Sequence, residues 1–296
     1  MTDRIPLEQR LASGEILVAD GAIGTLLVER GLGAGACPES VTLSRPQLLE
    51  EIAYLYLEAG ADIISTNTFG ASPLKLAGFG LADRTSEVNA RAVAAVRSAV
   101  GDRAHVAGSI GPCGKLLTPY GDVTPEEVYV SFSKQVESLV AAGVDCVCVE
   151  TMIDLNEATL AVRAVKDVSA PTPVTASMTF EATPKGFFTI MGVSVEAAAA
   201  GLTEAGADAI GSNCGNGIES MIEIARAFRS VSQLPLTIQP NAGLPRVAGG
   251  KTVYDETPTF MAEQAKQLLS IGVSVIGGCC GTTPEHIAAL RAMIDE

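Results

Sequence analysis

Glu58–Ile64 reads EAGADII, and variants of the phrase return at Ala141–Val147 (AAGVDCV), Glu204–Ile210 (EAGADAI) and Ser270–Ile276 (SIGVSVI). Each copy closes a stretch with apolar residues at helical spacing, places a glycine, and enters a short apolar run. Glycine suits the left-handed residue that follows a helix C-terminus. The runs are continuously apolar, as expected of strands buried on both faces of a parallel sheet. Working outward from these junctions, eight strands are predicted: Ile16–Gly21, Asp62–Phe69, His105–Gly111, Cys146–Met152, Pro173–Phe180, Ala209–Gly215, Pro235–Ala242 and Val273–Cys280. Amphipathic helical stretches lie between them, among them Pro46–Ala59, Ser86–Val100, Pro125–Ala142 and Pro258–Ile271. Eight repeated βα units predict an α/β fold, the (βα)8 TIM barrel. A doubly wound open sheet is the alternative. The lack of a GxGxxG after the first strand counts against its dinucleotide-binding form.

The 296 residues are 47% hydrophobic and 18% charged, enough for a sizeable core. Barrels of about 250 residues fold as one domain, so residues 1–296 are expected to form a single domain. Gly31–Leu43, Ala182–Val193 and Ala242–Thr257 read as longer βα loops, which in a barrel border the catalytic mouth. A net charge of -14 repels phosphate backbones and argues against nucleic-acid binding. No apolar run approaches the roughly 20 residues of a membrane helix. The polar start MTDRIPLEQRLASGE has no signal-peptide core. A cytoplasmic protein with no membrane partner is expected. Seven cysteines in such a chain, an odd number, read as metal ligands, nucleophiles or core residues rather than disulfides.

In a barrel the reactive groups sit at the C-terminal ends of the strands. Those ends carry Asp20-Gly21, Asn67–Gly70, Ser109–Gly114, Glu150-Thr151, Ser177–Phe180, Asn213-Cys214-Gly215, Gln239–Gly243 and Gly277–Gly281. Three cysteines, Cys214, Cys279 and Cys280, thus fall on the ends of strands six and eight. Adjacent residues on a regular strand point to opposite faces; the glycines flanking Cys279-Cys280 would let both sulfurs converge. Three thiolates at about 2.3 Å from zinc leave one tetrahedral position open, as in catalytic sites. Spacing alone leaves plain buried thiols as an equal reading, because free cysteine packs as a small hydrophobe. That is the reading adopted for mid-strand Cys146 and Cys148, while Cys37 reads as a loop thiol. Cys113, at a strand end, is a candidate for substrate contact. An alkyl thiol with a pKa of about 8.5 is mostly protonated near neutrality, and zinc would remove that proton while keeping the sulfur reactive. His105 opens strand three, away from the mouth, and His286 reads as a surface residue of the last helix. A histidine-ligated hydrolase is therefore a poor fit.

DGAIGTLL (Asp20–Leu27), STNTFGAS (Ser65–Ser72), GSIGPCGK (Gly108–Lys115), ETMIDLNEA (Glu150–Ala158), SMTF (Ser177–Phe180), GSNCG (Gly211–Gly215), QPNAGLP (Gln239–Pro245) and GGCCGTTPEHI (Gly277–Ile287) together resemble the homocysteine S-methyltransferase family. The likeness is greatest to the homocysteine-binding domain of its cobalamin-dependent members, and runs from about Leu17 to the end of the chain. NCG followed by GGCCG is its most specific element. The resemblance implies a (βα)8 barrel holding Zn2+ on Cys214, Cys279 and Cys280, with the homocysteine sulfur in the open position. It also implies that Glu150 binds the substrate amino group, with Asp20 beside it. Asn213 would help to fix the amino acid, and Ser177 is a further candidate contact. Asn241 would fill the fourth zinc position before substrate arrives. Turn chemistry accounts for Asn213 and Asn241 equally well.

The methyl donor implied is a methylcorrinoid (methylcobalamin) on a separate corrinoid protein or module. A small donor, S-methylmethionine or a betaine, is the alternative. A betaine would call for an aromatic cage, for which Phe69, Tyr120 and Phe180 are the candidates near the mouth. A zinc- and thiol-binding module without turnover of its own is the reading from another class. Two departures stand out. Cys113 replaces a residue that is often threonine in relatives, and the sequence ends at Glu296 without folate- or corrinoid-binding modules, as expected of an excised domain or one that works alone.

Overall fold

The four glycines of the repeated phrase all follow helix ends in the left-handed region: Gly60, Gly143, Gly206 and Gly272 have φ of 91°, 87°, 97° and 82°. They turn the chain into strands of one parallel barrel in the computed structural model, which describes residues 4–33, 35–249 and 251–296. Met1, Thr2 and Asp3 of the polar start, Ala34 of the first long loop and Gly250 of the last lie outside the described residues. The strands are β1 (Leu17–Val18), β2 (Ile63–Ser65), β3 (His105–Ile110), β4 (Cys146–Met152), β5 (Val174–Met178), β6 (Ala209–Asn213), β7 (Leu236–Gln239) and β8 (Val275–Ile276). They pair in sequence order, β8 pairs β1, and a parallel bridge between Ala19 and Ile63 links β1 to β2. The main helices between and after them are α1 (Pro46–Glu58), α2 (Thr85–Val100), α3 (Pro125–Ala141), α4 (Leu155–Val168), α5 (Val195–Ala205), α6 (Ile218–Val231), α7 (Pro258–Ile271) and α8 (Pro284–Asp295). The (βα)8 expectation is met.

The aspartate two residues after each of the first three glycines explains the rest of the phrase. Asp62 donates its N–H to the Val18 carbonyl at 2.7 Å, and its carboxylate accepts the Val18 N–H at 2.9 Å. Asp145 and Val106 repeat the exchange at 2.8 and 2.7 Å, as do Asp208 and Val174. Each aspartate therefore clamps the strand before its own: β1 to β2, β3 to β4, β5 to β6. Cations complete the clamps: Arg10 and Arg291 on Asp62, Arg4 and Arg97 on Asp145, Lys166 on Asp208. In the fourth copy Ser274 stands at this position and keeps only the backbone bond, its N–H to the Leu236 carbonyl at 2.9 Å. All of this lies at the N-terminal face of the barrel, where stability rather than chemistry is concentrated.

Helix starts are set by local sequence. Thr124, Thr257 and Thr283 each precede a proline at the first helical position, and Thr124 forms a capping box with Glu127. Inside the barrel, Leu17, Ala19, Ile63, Ala107, Cys146 and Val275 pack together. A short helix, Leu7–Ala12, contributes Leu7 and Leu11 to this cluster and closes the bottom. Cys146 is fully buried and Cys148 packs beside it, in the core positions expected of them.

Most predicted strands run beyond the paired residues at the mouth. Past Ser65 and Ile276 the regular strands end, although Thr66 N–H still donates to the Ala107 carbonyl at 2.9 Å and Gly277 N–H to the Ile238 carbonyl at 3.2 Å. Two loops contain hairpins that the sequence did not announce, Glu181–Thr183 with Gly186–Phe188 and Arg246–Ala248 with Lys251–Val253. Among the described residues, no helix is long and apolar enough to cross a membrane.

Candidate active site

β8 ends at Ile276, so Cys279 and Cys280 are not strand residues. Thr282 folds the chain back by donating its N–H and hydroxyl to the Cys279 carbonyl, at 3.1 and 2.7 Å. The Gly281 N–H is taken by Thr25 Oγ1 at 3.1 Å, and Gly281 itself has φ 79°. The loop after β7 fixes the pair from the other side: Cys279 N–H donates to the Pro240 carbonyl at 2.7 Å, and Ala242 N–H to the Cys280 carbonyl at 3.0 Å. At the end of β6, Cys214 takes left-handed backbone, φ 62°. The result is that the three sulfurs lie within 4.8 Å of one another, with Cys214 and Cys280 at 3.8 Å.

Three half-buried thiols this close cannot all ionise without a cation. One proton leaves readily. Contacts from Cys214 and Cys279, with help from Tyr254, hold Cys280 down at about 3. Cys279 is pushed well above the usual thiol value by Cys214, Cys280 and burial. Two thiolates at about 2.3 Å from a tetrahedral zinc stand about 3.8 Å apart, which is the Cys214–Cys280 spacing. The donor set fits zinc.

A cavity of about 270 Å³ opens beside these sulfurs, lined also by Asp20, Ser65, Ser109 and Glu150. Asp20 accepts the Ser65 N–H at 2.8 Å and the Ser65 hydroxyl at 3.1 Å. Glu150 accepts the Ser109 hydroxyl. Burial pushes Asp20 up to about 7, with Ser65 opposing and the Glu150 charge adding. Burial also pushes Glu150 up to about 7, against the Ser109 hydrogen bond and with Cys214 adding. Near neutrality the two carboxyls thus hold roughly one proton between them. Among the described residues that line the cavity there is no lysine or arginine, so this negative charge is placed to receive a cationic group.

Of the other residues singled out in the sequence, Asn213 and Ser177 are buried and joined, Ser177 donating to the Asn213 amide oxygen at 2.7 Å. Asn241 is 3% exposed and its amide oxygen has no hydrogen-bond partner among the described residues; its neighbours Pro240 and Ala242 are the residues that hold Cys279 and Cys280. Cys113 is buried, directed at the Lys115 carbonyl, and pushed up to about 12 by burial and Glu157. Cys37 is also buried, 3.2 Å from Glu39. His286 is not on the surface: it is buried, bonded to Thr283 in the start of α8 and to the Glu256 carbonyl. His105 is buried at the barrel bottom, and burial and Arg4 lower it to about 4. Of the three aromatics expected near the mouth, Phe69 lines the cavity, Tyr120 is 78% exposed, and Phe180 is buried against Phe228. Tyr254 went unnoticed in the sequence. It packs against Gly281, where an added Cβ would lie 2.2 Å from its ring, and it helps to lower the Cys280 thiol. A single tyrosine in a Gly/Pro-bearing loop carries no pattern; the only signal was an aromatic in a chain with 4% of them.

Residues 17–294 match the family model for homocysteine S-methyltransferase. Methionine synthases of Mycobacterium leprae and Mycobacterium tuberculosis are each 33% identical, over 94% and 95% of this chain. The chain spans about a quarter of the length of these curated relatives, 24% and 25%. The metallated form of the homocysteine methyltransferase MmuM from Escherichia coli superposes with a TM-score of 0.80 at 26% identity, covering 97% of this chain and 99% of that one. With the barrel and the clustered cysteines in place, the match over nearly the whole chain is decisive: the chain belongs to the homocysteine S-methyltransferase family of methyl-transferring enzymes.

Proposed function

We infer that residues 1–296 act as one homocysteine-binding barrel, which activates the homocysteine thiol with zinc for methylation to methionine. The observation that carries this reading is the meeting of three convergent cysteine sulfurs with two carboxyls, Asp20 buried and Glu150 half-buried, in one cavity. Cys214, Cys279 and Cys280 would hold the zinc, which when bound favours loss of a proton from a substrate thiol while leaving the sulfur nucleophilic. Asp20 and Glu150 receive the substrate ammonium, whose charge brings both carboxyls back towards their ionised forms. The unpartnered amide oxygen of Asn241, next to the cysteine pair, supports its role as a place-holder in the fourth metal position.

The donor reading we favour is a methylcorrinoid carried on a separate protein or module. The likeness to methionine synthases, whose chains run about four times longer, supports it. So does a cavity lined, among the described residues, by one aromatic side chain, Phe69, too few to cage a betaine. That MmuM, a homocysteine methyltransferase, is matched over 99% of a chain of similar length favours a second reading, in which one barrel suffices and a small sulfonium such as S-methylmethionine reacts directly. One experiment separates them. The zinc-loaded protein and homocysteine are incubated in turn with methylcobalamin-loaded corrinoid protein, S-methylmethionine and glycine betaine, and methionine is measured. Methionine from the corrinoid donor is expected. Turnover with only a small donor overturns the favoured reading, and tight zinc-dependent homocysteine binding with no turnover identifies a thiol-binding module instead.

A further inference from the structure

Among the described residues, two non-glycine positions hold left-handed backbone, Thr151 at φ 59° and Cys214 at φ 62°. A β-branched residue is strained there. Each lies one step beyond a residue of the site, Thr151 after Glu150 and Cys214 after Asn213, at the mouth ends of β4 and β6. One side chain touches the first turn and belongs to the second. The Asn213 amide oxygen accepts the Thr151 N–H at 2.8 Å and the Ser177 hydroxyl at 2.7 Å. Its nitrogen donates to Thr151 Oγ1 at 2.8 Å and reaches Cys279 Sγ at 3.7 Å. Asn213 is fully buried. A primary amide offers two hydrogens and two lone pairs, and all four are taken inside the protein. None is left for a ligand.

We propose that Asn213 is a positioning residue: it fixes the separation between the Glu150 carboxyl and the cysteine cluster, and so sets the length of amino-acid thiol that the site accepts. The proposal rests on the zinc and homocysteine reading above. A ligand that binds by its sulfur at one end and its ammonium at the other must span that separation. Homocysteine has two methylenes with which to do so; cysteine has one and forfeits a contact. With the Thr151 turn held by both atoms of the amide, Glu150 cannot move to meet the shorter ligand. With the turn released, it can.

The test uses the zinc-loaded protein and its Asn213→Ala, Asn213→Asp and Asn213→Ala/Thr151→Gly variants. Zinc content, thermal midpoint and calorimetric affinity for homocysteine and for free cysteine are measured on each. Asn213→Ala is expected to keep its zinc and to bind homocysteine about 10- to 100-fold more weakly, the range for loss of hydrogen bonds that position charged groups. Its cysteine affinity is expected to change by less than about threefold, so the preference narrows. Glycine occupies the left-handed region without strain, so adding Thr151→Gly should recover part of the homocysteine affinity. Asn213→Asp keeps the two acceptor contacts and loses both donations, and carries the same comparison if the alanine variant does not fold. Equal weakening of both ligands, or an unchanged preference, in a folded zinc-loaded variant overturns the proposal. Zinc loss from a folded variant also overturns it, because the amide would then serve the metal site alone. Failure of the unmodified protein to bind zinc or homocysteine refutes the functional reading instead.

Discussion

Glu150→Gln should make this protein more stable while disabling it. The residue is half-buried, and glutamine keeps its shape and the acceptor that receives the Ser109 hydroxyl. A carboxyl moved from 4.5 to about 7 carries about 3 kcal/mol of unfavourable charge burial once ionised, at about 1.4 kcal/mol per pH unit. In the unfolded chain the group ionises near 4.5 and in the folded chain near 7. Between those values the unfolded state holds fewer protons, so stability falls as pH rises. Denaturant unfolding of the substrate-free protein should therefore show Glu150→Gln more stable than its parent by up to about 3 kcal/mol at pH 8, a gain that fades to nothing near pH 4. Over the same range the variant should retain zinc and bind homocysteine about 10- to 100-fold more weakly, the size of a charge-assisted hydrogen bond to ammonium. Stability bought at the site's expense is the signature of a group kept for function. A variant no more stable than its parent at pH 8, or one with unchanged homocysteine affinity, would refute the reasoning.

Cys214→Ser and Cys279→Ser should each lose the roughly one zinc per chain expected of a three-thiolate site, as read by metal analysis; full occupancy in either would sink the assignment. Gly281→Ala forces a side chain into a position with φ 79° and within 2.2 Å of the Tyr254 ring. It should displace the Cys280 turn and weaken zinc binding tenfold or more in chelator competition, about the scale of a lost supporting contact. Asp145→Ala removes the partner of Arg4, Arg97 and the Val106 N–H. Unfolding measurements should show a loss of about 3 kcal/mol with homocysteine affinity unchanged.

The parts of the molecule legible in the sequence were those where one local rule decides. Pro258–Ile271 was read to the residue because Thr257-Pro258 starts it and a left-handed Gly272 ends it. β4, Cys146–Met152, was read as well, bounded by the clamp aspartate and an acidic strand end. Strand ends at the mouth are shorter in the structure than the sequence predicts, because an apolar pattern does not show where pairing with the neighbouring strand stops. The cysteines stand out in the sequence because they fall on two strand ends, but how they converge is not legible there, since that turn depends on Thr282 and on backbone bonds from another loop. Asn213 was marked as a site residue, yet its satisfied amide is a fact of three strands meeting. The burial of His286 is not legible in the sequence, because a histidine at the third position of a helix, three residues after threonine, serves as a cap that the usual Glu/Gln signature does not describe.

The aspartate clamps bear on where this chain can be cut. Each links a strand to the residue that precedes the next one, so the information that aligns neighbouring strands is stored at the floor. Breaking the chain within a mouth loop and rejoining the old termini would leave Asp62, Asp145 and Asp208 with their partners. Opening it at Gly60, Gly143 or Gly206 would cut beside a clamp and set one pair of strands free to slip. Circular permutants opened above the barrel should assemble, and those opened below it at these three turns should not. The open places lie on the rim that carries the candidate site, where a loop can be lengthened or exchanged without disturbing how the barrel closes.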